Sequence, residues 1–182
     1  MGWFLLNTLL LMLFLVALVC VIIQKVRGPL AARGSESEDD SHIPLRLSET
    51  NKIRTALDLL MGQGGTGSFV IFEAPRSGKF VQFAGASNEN LLLDLPTLPL
   101  SDDETARARE FFKQFGIGSP VLYEADNVKK GIVQKFISFQ MDLDKDTERA
   151  ARLVAAIFQQ VYQFPPDTAI VARVNLETQA DA

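Results

Sequence analysis

From Trp3 to Ile23 the chain reads WFLLNTLLLMLFLVALVCVII: 21 positions without a charge, with only Asn7 and Thr8 polar. A helix of that length extends about 32 Å at about 1.5 Å per residue, enough to cross a hydrocarbon core of about 30 Å. A helix in a globular core would keep a polar face, and this stretch has none. A transmembrane helix is therefore expected over residues 3–23. A cleaved leader would want a basic start, a shorter apolar stretch and a small-residue cleavage site. No Lys or Arg precedes the run, and the bulky Val19 argues against lipoprotein processing at Cys20. The expected product is a single-pass membrane protein with an uncleaved signal anchor.

The flanks set its direction. Lys25, Arg27 and Arg33 follow the span and no basic side chain precedes it. Basic residues close to a span favour the cytoplasmic side, so the C-terminal domain is expected in the cytoplasm. Cys20, the single cysteine, lies inside the span, leaving the rest of the chain without a disulfide, which fits a reducing compartment.

Residues 24–43 are expected to form a flexible acidic linker. Glu36, Glu38, Asp39 and Asp40 crowd a stretch with almost no large apolar residue, too little to pay for ordering. Ser35 and Ser37 would suit a phosphorylatable acidic segment, but a solvated spacer explains the same composition. The only histidine, His42, falls here.

From Pro44 onward the composition turns globular, and residues 44–182 are expected to form one α+β domain. Removing Lys25, Arg27 and Arg33 from 18 basic residues, and the four linker acids from 22 acidic ones, leaves 15 against 18. No basic stripe interrupts this mixture, which argues against a nucleic-acid partner.

Periodicity divides the domain. Ser48 is placed to cap a helix from Glu49 to Met61, with Ile53, Ala56, Leu57, Leu60 and Met61 on one face. Three strands follow, at Ser68–Phe72, Lys79–Phe83 and Leu91–Leu95, joined by short turns as an antiparallel β-meander. Ser101 and Glu104 have capping-box spacing and open a second helix with Ala108, Phe111, Phe112 and Phe115 inward, stopped at Gly116. Val121–Glu124 and Val133–Met141 form a hairpin. A third helix is expected over Asp146–Phe164, ended by Pro165 and Pro166, with a core stripe of Ala151, Val154, Ala155, Phe158, Val161 and Tyr162. The run Ala169–Val174 is expected as an edge strand. The expected order is α-βββ-α-ββ-α, with the helices on one face of the sheet.

Gly62, Gly64 and Gly67 reproduce the Gly-x-Gly-x-x-Gly spacing of dinucleotide sites. That motif works after a strand and before a helix, where pyrophosphate meets the positive helix end. Here a helix precedes it and a strand follows, so the negative end faces the glycines. A P-loop would also need a lysine before Ser68. The glycines are expected to turn a corner, with Gly62 as the helix cap, and no nucleotide or other cofactor is expected.

Chemistry is thin elsewhere. With His42 in the linker and Cys20 in the span, the domain has neither residue for nucleophilic triads or most zinc sites. Asp142, Asp144 and Asp146 alternate as in a calcium loop, but the central glycine is missing and Leu153 occupies the closing position. No catalytic residue and no metal ligand emerges, and an enzyme is not expected.

The order over residues 46–164 resembles the type III secretion chaperone-like fold, which includes YbjN-like domains. The resemblance rests on FVIFE…KFVQFAG…LLLDL, SDDETARAREFFKQFG, VLYEA…VQKFISFQM and DTERAARLVAAIFQQVYQF. It implies a non-catalytic module that binds a peptide or a protein partner, often as a homodimer. The anchor and the run Ala169–Val174 depart from the simplest members. Another expectation is a structural or assembly subunit of a membrane-associated complex.

A working surface can be proposed from the longest strand. Val133, Ile137, Phe139 and Met141 share one face, while Gln134, Phe136, Ser138 and Gln140 share the other. The second set is expected to be half exposed, with Phe136 either a partner anchor or a partly covered aromatic. Leu153 and Ile157 lie off the third helix's main stripe. They either complete the core or offer a rival surface.

Overall fold

The computed structural model describes residues 41–127 and 132–177. They form an α+β structure with three helices and a seven-stranded antiparallel sheet. The strands are β1 (Ser41–Arg46), β2 (Phe69–Ala74), β3 (Lys79–Ala84), β4 (Leu92–Pro96), β5 (Val121–Asn127), β6 (Ile132–Asp142) and β7 (Ala169–Asn175). The helices are α1 (Thr50–Gln63), α2 (Asp102–Lys113) and α3 (Thr147–Ala156), the last continuing as a π-helical turn over Ile157–Val161. Residues 41–123 and 136–177 make one compact unit, and residues 124–127 of β5 and 132–135 of β6 fall outside it.

Across the sheet the order is β1-β7-β2-β3-β4-β6-β5. The expected meander stands at its centre. Phe72 pairs with Val81 and Phe83 with Leu93, so short turns join neighbouring antiparallel strands. α2 then carries the chain to β5, and β6 returns between β5 and β4, pairing with β4 through Leu93–Met141 and Leu95–Phe139.

Two strands correct the expected order. β1 begins at Ser41, inside the stretch read as linker, so His42 and Ile43 belong to the sheet. β7 is not an edge: it sits between β1 and β2, with Ala172 opposite both Ile43 and Phe72. Both corrections have one cause. A pairing between residues about 130 positions apart leaves no local pattern, and SHIPLR is short and contains a proline.

Register decides which side chains meet the helices. Val70, Phe72, Val81, Phe83, Leu93, Phe139 and Met141 fall on one face and join the helices in a single buried cluster. α1 lies over β7 and β2 and packs on α3, while α2 packs on the π turn. Phe112 of α2 stacks on Phe139 at 4.9 Å, and Phe72 meets Phe83 edge-on at 6.0 Å. Each fully buried ring contributes about 1.5–3 kcal/mol of transfer free energy. Leu153 and Ile157 are both in this core, so they complete it and offer no separate surface.

The helix ends follow their local chemistry. Ser101 accepts from the Glu104 N–H while the Glu104 carboxylate accepts from the Ser101 N–H, completing the capping box. Asp146 caps α3 by accepting from the Arg149 N–H at 2.8 Å. Ser48 does not cap α1. Glu49 stands at that position, and its carboxylate instead accepts from the Arg46 N–H at 2.8 Å. Among the described residues no helix is long and apolar enough to cross a membrane, and Trp3–Ile23 lies outside them.

Candidate interaction surface

The glycine loop is a joint. α1 runs through Gly62 to Gln63, and the cap is Gly64, whose N–H donates to the Leu60 carbonyl at 2.8 Å. A Cβ at Gly64 would stand 2.4 Å from that oxygen and 2.9 Å from the Ser68 Cβ. Gly67 turns the chain at φ +96°. The N–H groups of Gly65 and Ser68 donate to the carbonyls of Glu177 and Gly65. These donors are spent inside the fold, leaving Gly64, Gly65 and Ser68 none to offer a phosphate.

The acidic loop is equally local. Asp142 accepts from the Asp144 N–H at 2.8 Å and from Asn90 Nδ2 at 3.0 and 3.1 Å. Among the described residues no group of three His, Cys, Asp or Glu side chains could hold a metal ion.

The sheet face opposite the helices differs from expectation. Ser138 is fully buried and Gln140 partly so, while the side chains of Gln134 and Phe136 lie outside the described residues. The polar row meets at Asp94, although Gln82 Oε1 and Ser138 Oγ are left without a hydrogen-bond partner. Gln82 Nε2 donates to one oxygen of Asp94 at 2.5 Å, and Gln140 Nε2 to the other at 3.3 Å. Burial pushes the Asp94 carboxyl up, against the hydrogen bonds it accepts from these amides. Phe69, Ile71 and Phe80 on this face are buried as well. The reason is visible in FVIF and KFVQFA, which place apolar residues on both parities, as in strands buried on both sides. Reading β6 alone hid this, because its own alternation is polar.

Exposed apolar surface lies elsewhere. The large hydrophobics exposed among the described residues are Leu98 (66%), Leu122 (56%), Val121 (47%), Ile137 (45%) and Phe115 (38%). All five belong to β5, β6 or the exits of β4 and α2, the elements at one end of the strand order. Thr97 binds the loop after β4 to β6, since its N–H and its hydroxyl both donate to the Ile137 carbonyl at 2.8 Å. Leu98 is thereby held next to β6. Phe115 follows the end of α2, 5.4 Å from the Phe111 ring, with the Arg149 guanidinium 5.9 Å above its own. Gly116, at φ +79°, then turns the chain toward β5.

None of these five was singled out from the sequence as a surface residue. Phe115, expected on the inward face of the second helix, lies beyond its end at Lys113 and is exposed; Ile137 shares the core parity of β6, and Val121 and Leu122 read as ordinary strand content. Leu98 did carry a signal: a large apolar residue in the turn-prone stretch Pro96-Thr97-Leu98-Pro99. Compared with known proteins, the chain matches no family model, no curated protein and no solved structure.

Proposed function

We propose that this chain is a membrane-tethered, non-catalytic binding module that presents the β5 end of its sheet to a protein or peptide partner. The observation that carries the reading is the one-sided placement of Leu98, Phe115, Val121, Leu122 and Ile137, while among the described residues the β1 end exposes no large hydrophobic. Apolar side chains gathered on one side of a folded body mark an interaction site better than the same residues scattered singly. In this reading Trp3–Ile23 spans the membrane, residues 24–40 tether the body, and the body faces the cytoplasm. The resemblance of residues 46–164 in sequence pattern to the type III secretion chaperone-like fold points to the same function class, with β1 and β7 lying outside it.

The test uses the full-length chain in native membranes as bait and the double variant Leu98→Asp, Leu122→Asp as its control. Both side chains are exposed, so melting should shift by no more than about 0.5 kcal/mol. Partner capture should fall by about tenfold or more, the loss expected of a desolvated apolar anchor. Unchanged capture would remove the patch as the binding surface. A partner that stays bound in fixed stoichiometry through purification would identify an assembly subunit, with the same surface used permanently.

A further inference from the structure

On the sheet face opposite the helices, Asp94 and Ser138 are wholly buried and Gln82 is 1% exposed. Register brings a row together there: Gln82 of β3 stands opposite Asp94 of β4, and Asp94 opposite Gln140 of β6. Neighbouring strands lie about 5 Å apart, so both amides reach the carboxyl from either side.

This carboxyl has no counter-charge. Among the described residues its partners are Gln82, Gln140 and Ser138, all neutral. The other charged side chains on its face do not supply one. Asp142 on β6 bears the same sign, Glu73 and Arg173 bond each other on β2 and β7, and His42 and Arg46 stand on the outermost strand. Two acceptors beside it are also idle. Gln82 Oε1 and Ser138 Oγ are buried without a hydrogen-bond partner, and the Ser138 hydroxyl stands near the carboxyl without a bond of good geometry. An ionised carboxyl only accepts, so it cannot serve an amide oxygen, whereas a protonated one gains an O–H donor.

From the buried carboxyl, the missing counter-charge and the idle acceptors, we propose that Asp94 is a proton-binding switch that sets how firmly β4 holds β3 and β6. A proton taken from solvent onto one carboxyl oxygen removes the buried charge, and the new O–H donates to Gln82 Oε1 or Ser138 Oγ. Burial holds the group above its usual 3.8, in the sense this arrangement requires. A raised carboxyl contributes stability that is complete below 3.8 and lost as pH rises through the raised value. Glu104, with its lowered carboxyl, acts in the opposite sense and only below 4.5. The strands joined at Asp94 also seat part of the exposed patch, since Thr97 follows β4 and donates twice to the Ile137 carbonyl. The switch thus adds a control to the proposed partner surface, and its test needs no partner.

The experiment is hydrogen exchange of the full-length chain in lipid nanodiscs, read by mass spectrometry from about pH 5 to about pH 9, a range in which Glu104 stays ionised. Peptides from β4 and residues 136–142 are compared with peptides from β1 and β7, in the parent and in Asp94→Asn. Asparagine supplies an N–H donor in place of the carboxyl O–H and cannot ionise. At the upper end β4 and β6 should be about tenfold or more better protected in the variant, as a shift of about one pK unit requires. The gap should close as pH falls, with β1 and β7 unchanged throughout. Where Asp94→Asn misfolds, the parent decides alone: its β4 and β6 protection relative to β1 and β7, corrected for intrinsic exchange, should fall by the same factor as pH rises. No gap at any pH, a gap that pH does not change, a gap shared equally by β1 and β7, or a flat ratio in the parent would overturn the proposal. Partner capture by Leu98→Asp, Leu122→Asp is read separately, so the switch and the binding surface stand or fall independently.

Discussion

At Gly64 the absence of a side chain is a requirement, because a Cβ there would lie 2.4 Å from the Leu60 carbonyl oxygen. Gly67 is constrained differently, by its φ of +96°, and Gly62 not at all, since nothing stands within 4 Å of its would-be Cβ. Alanine substitution should therefore separate three glycines that look equivalent in sequence. Gly62→Ala should stabilise by about 0.5–1 kcal/mol as a helix-interior replacement. Gly67→Ala should destabilise by about 1 kcal/mol or more, and Gly64→Ala by about 1–3 kcal/mol through forced backbone shifts. Urea unfolding of the three variants checks the order, and a destabilised Gly62→Ala would contradict the placement of the cap.

Glu104 carries the second residue-scale prediction. Burial alone would raise its carboxyl, but Lys79 at 2.5 Å and the Ser101 N–H outweigh it and hold the group below its usual 4.5. A depressed carboxyl contributes stability that is complete above 4.5 and lost as pH falls through the lowered value. Glu104→Gln should cost about 1–2 kcal/mol at neutral pH, between an exposed and a fully buried pair. The gap from the parent should close below pH 4.5, measured by melting across an acid series. A gap independent of pH would mean that packing, not charge, holds this corner.

The helices and the central strands were legible as elements because their information is local. The SDDE spacing specified the capping box, and alternation in β6 put Phe139 and Met141 on the core side. The third helix was legible in extent but not in its ending. Its last turn widens to π geometry over Ile157–Val161, with Arg107 Nε donating to the Val161 carbonyl at 2.7 Å. No sequence rule places that partner, which comes from α2. The wide turn delivers the buried Tyr162 hydroxyl to the Phe80 carbonyl at 2.6 Å, joining the helix layer to β3. Tyr162→Phe should cost about 1–3 kcal/mol by leaving that carbonyl unpaired. Denaturant midpoints test this, and a loss below about 0.5 kcal/mol would show that the bond matters little. β1 was the element least legible, and β7 was legible as a strand but not in its place between β1 and β2, which only their pairing defines.

For the whole molecule, composition sets the expectation of an apolar span and an acidic linker, which lie largely outside the described residues, whereas the proposed interaction surface required the strand order. Ser138 and Gln140 do share the face opposite Phe139 and Met141, but exposure cannot be read from one strand. It depends on what neighbouring strands place on the same face. The exposed set at the β5 end arises from four separate stretches, each unremarkable alone. The most direct test installs a photo-crosslinking amino acid at Leu122, Ile137 or Leu98 of the full-length chain in its native membrane, with Lys52 on the exposed side of α1 as the control. The binding-module account predicts one discrete adduct shared by the three β5-end positions and none from Lys52. Adducts of equal strength from Lys52, or none from any β5-end position, would contradict it.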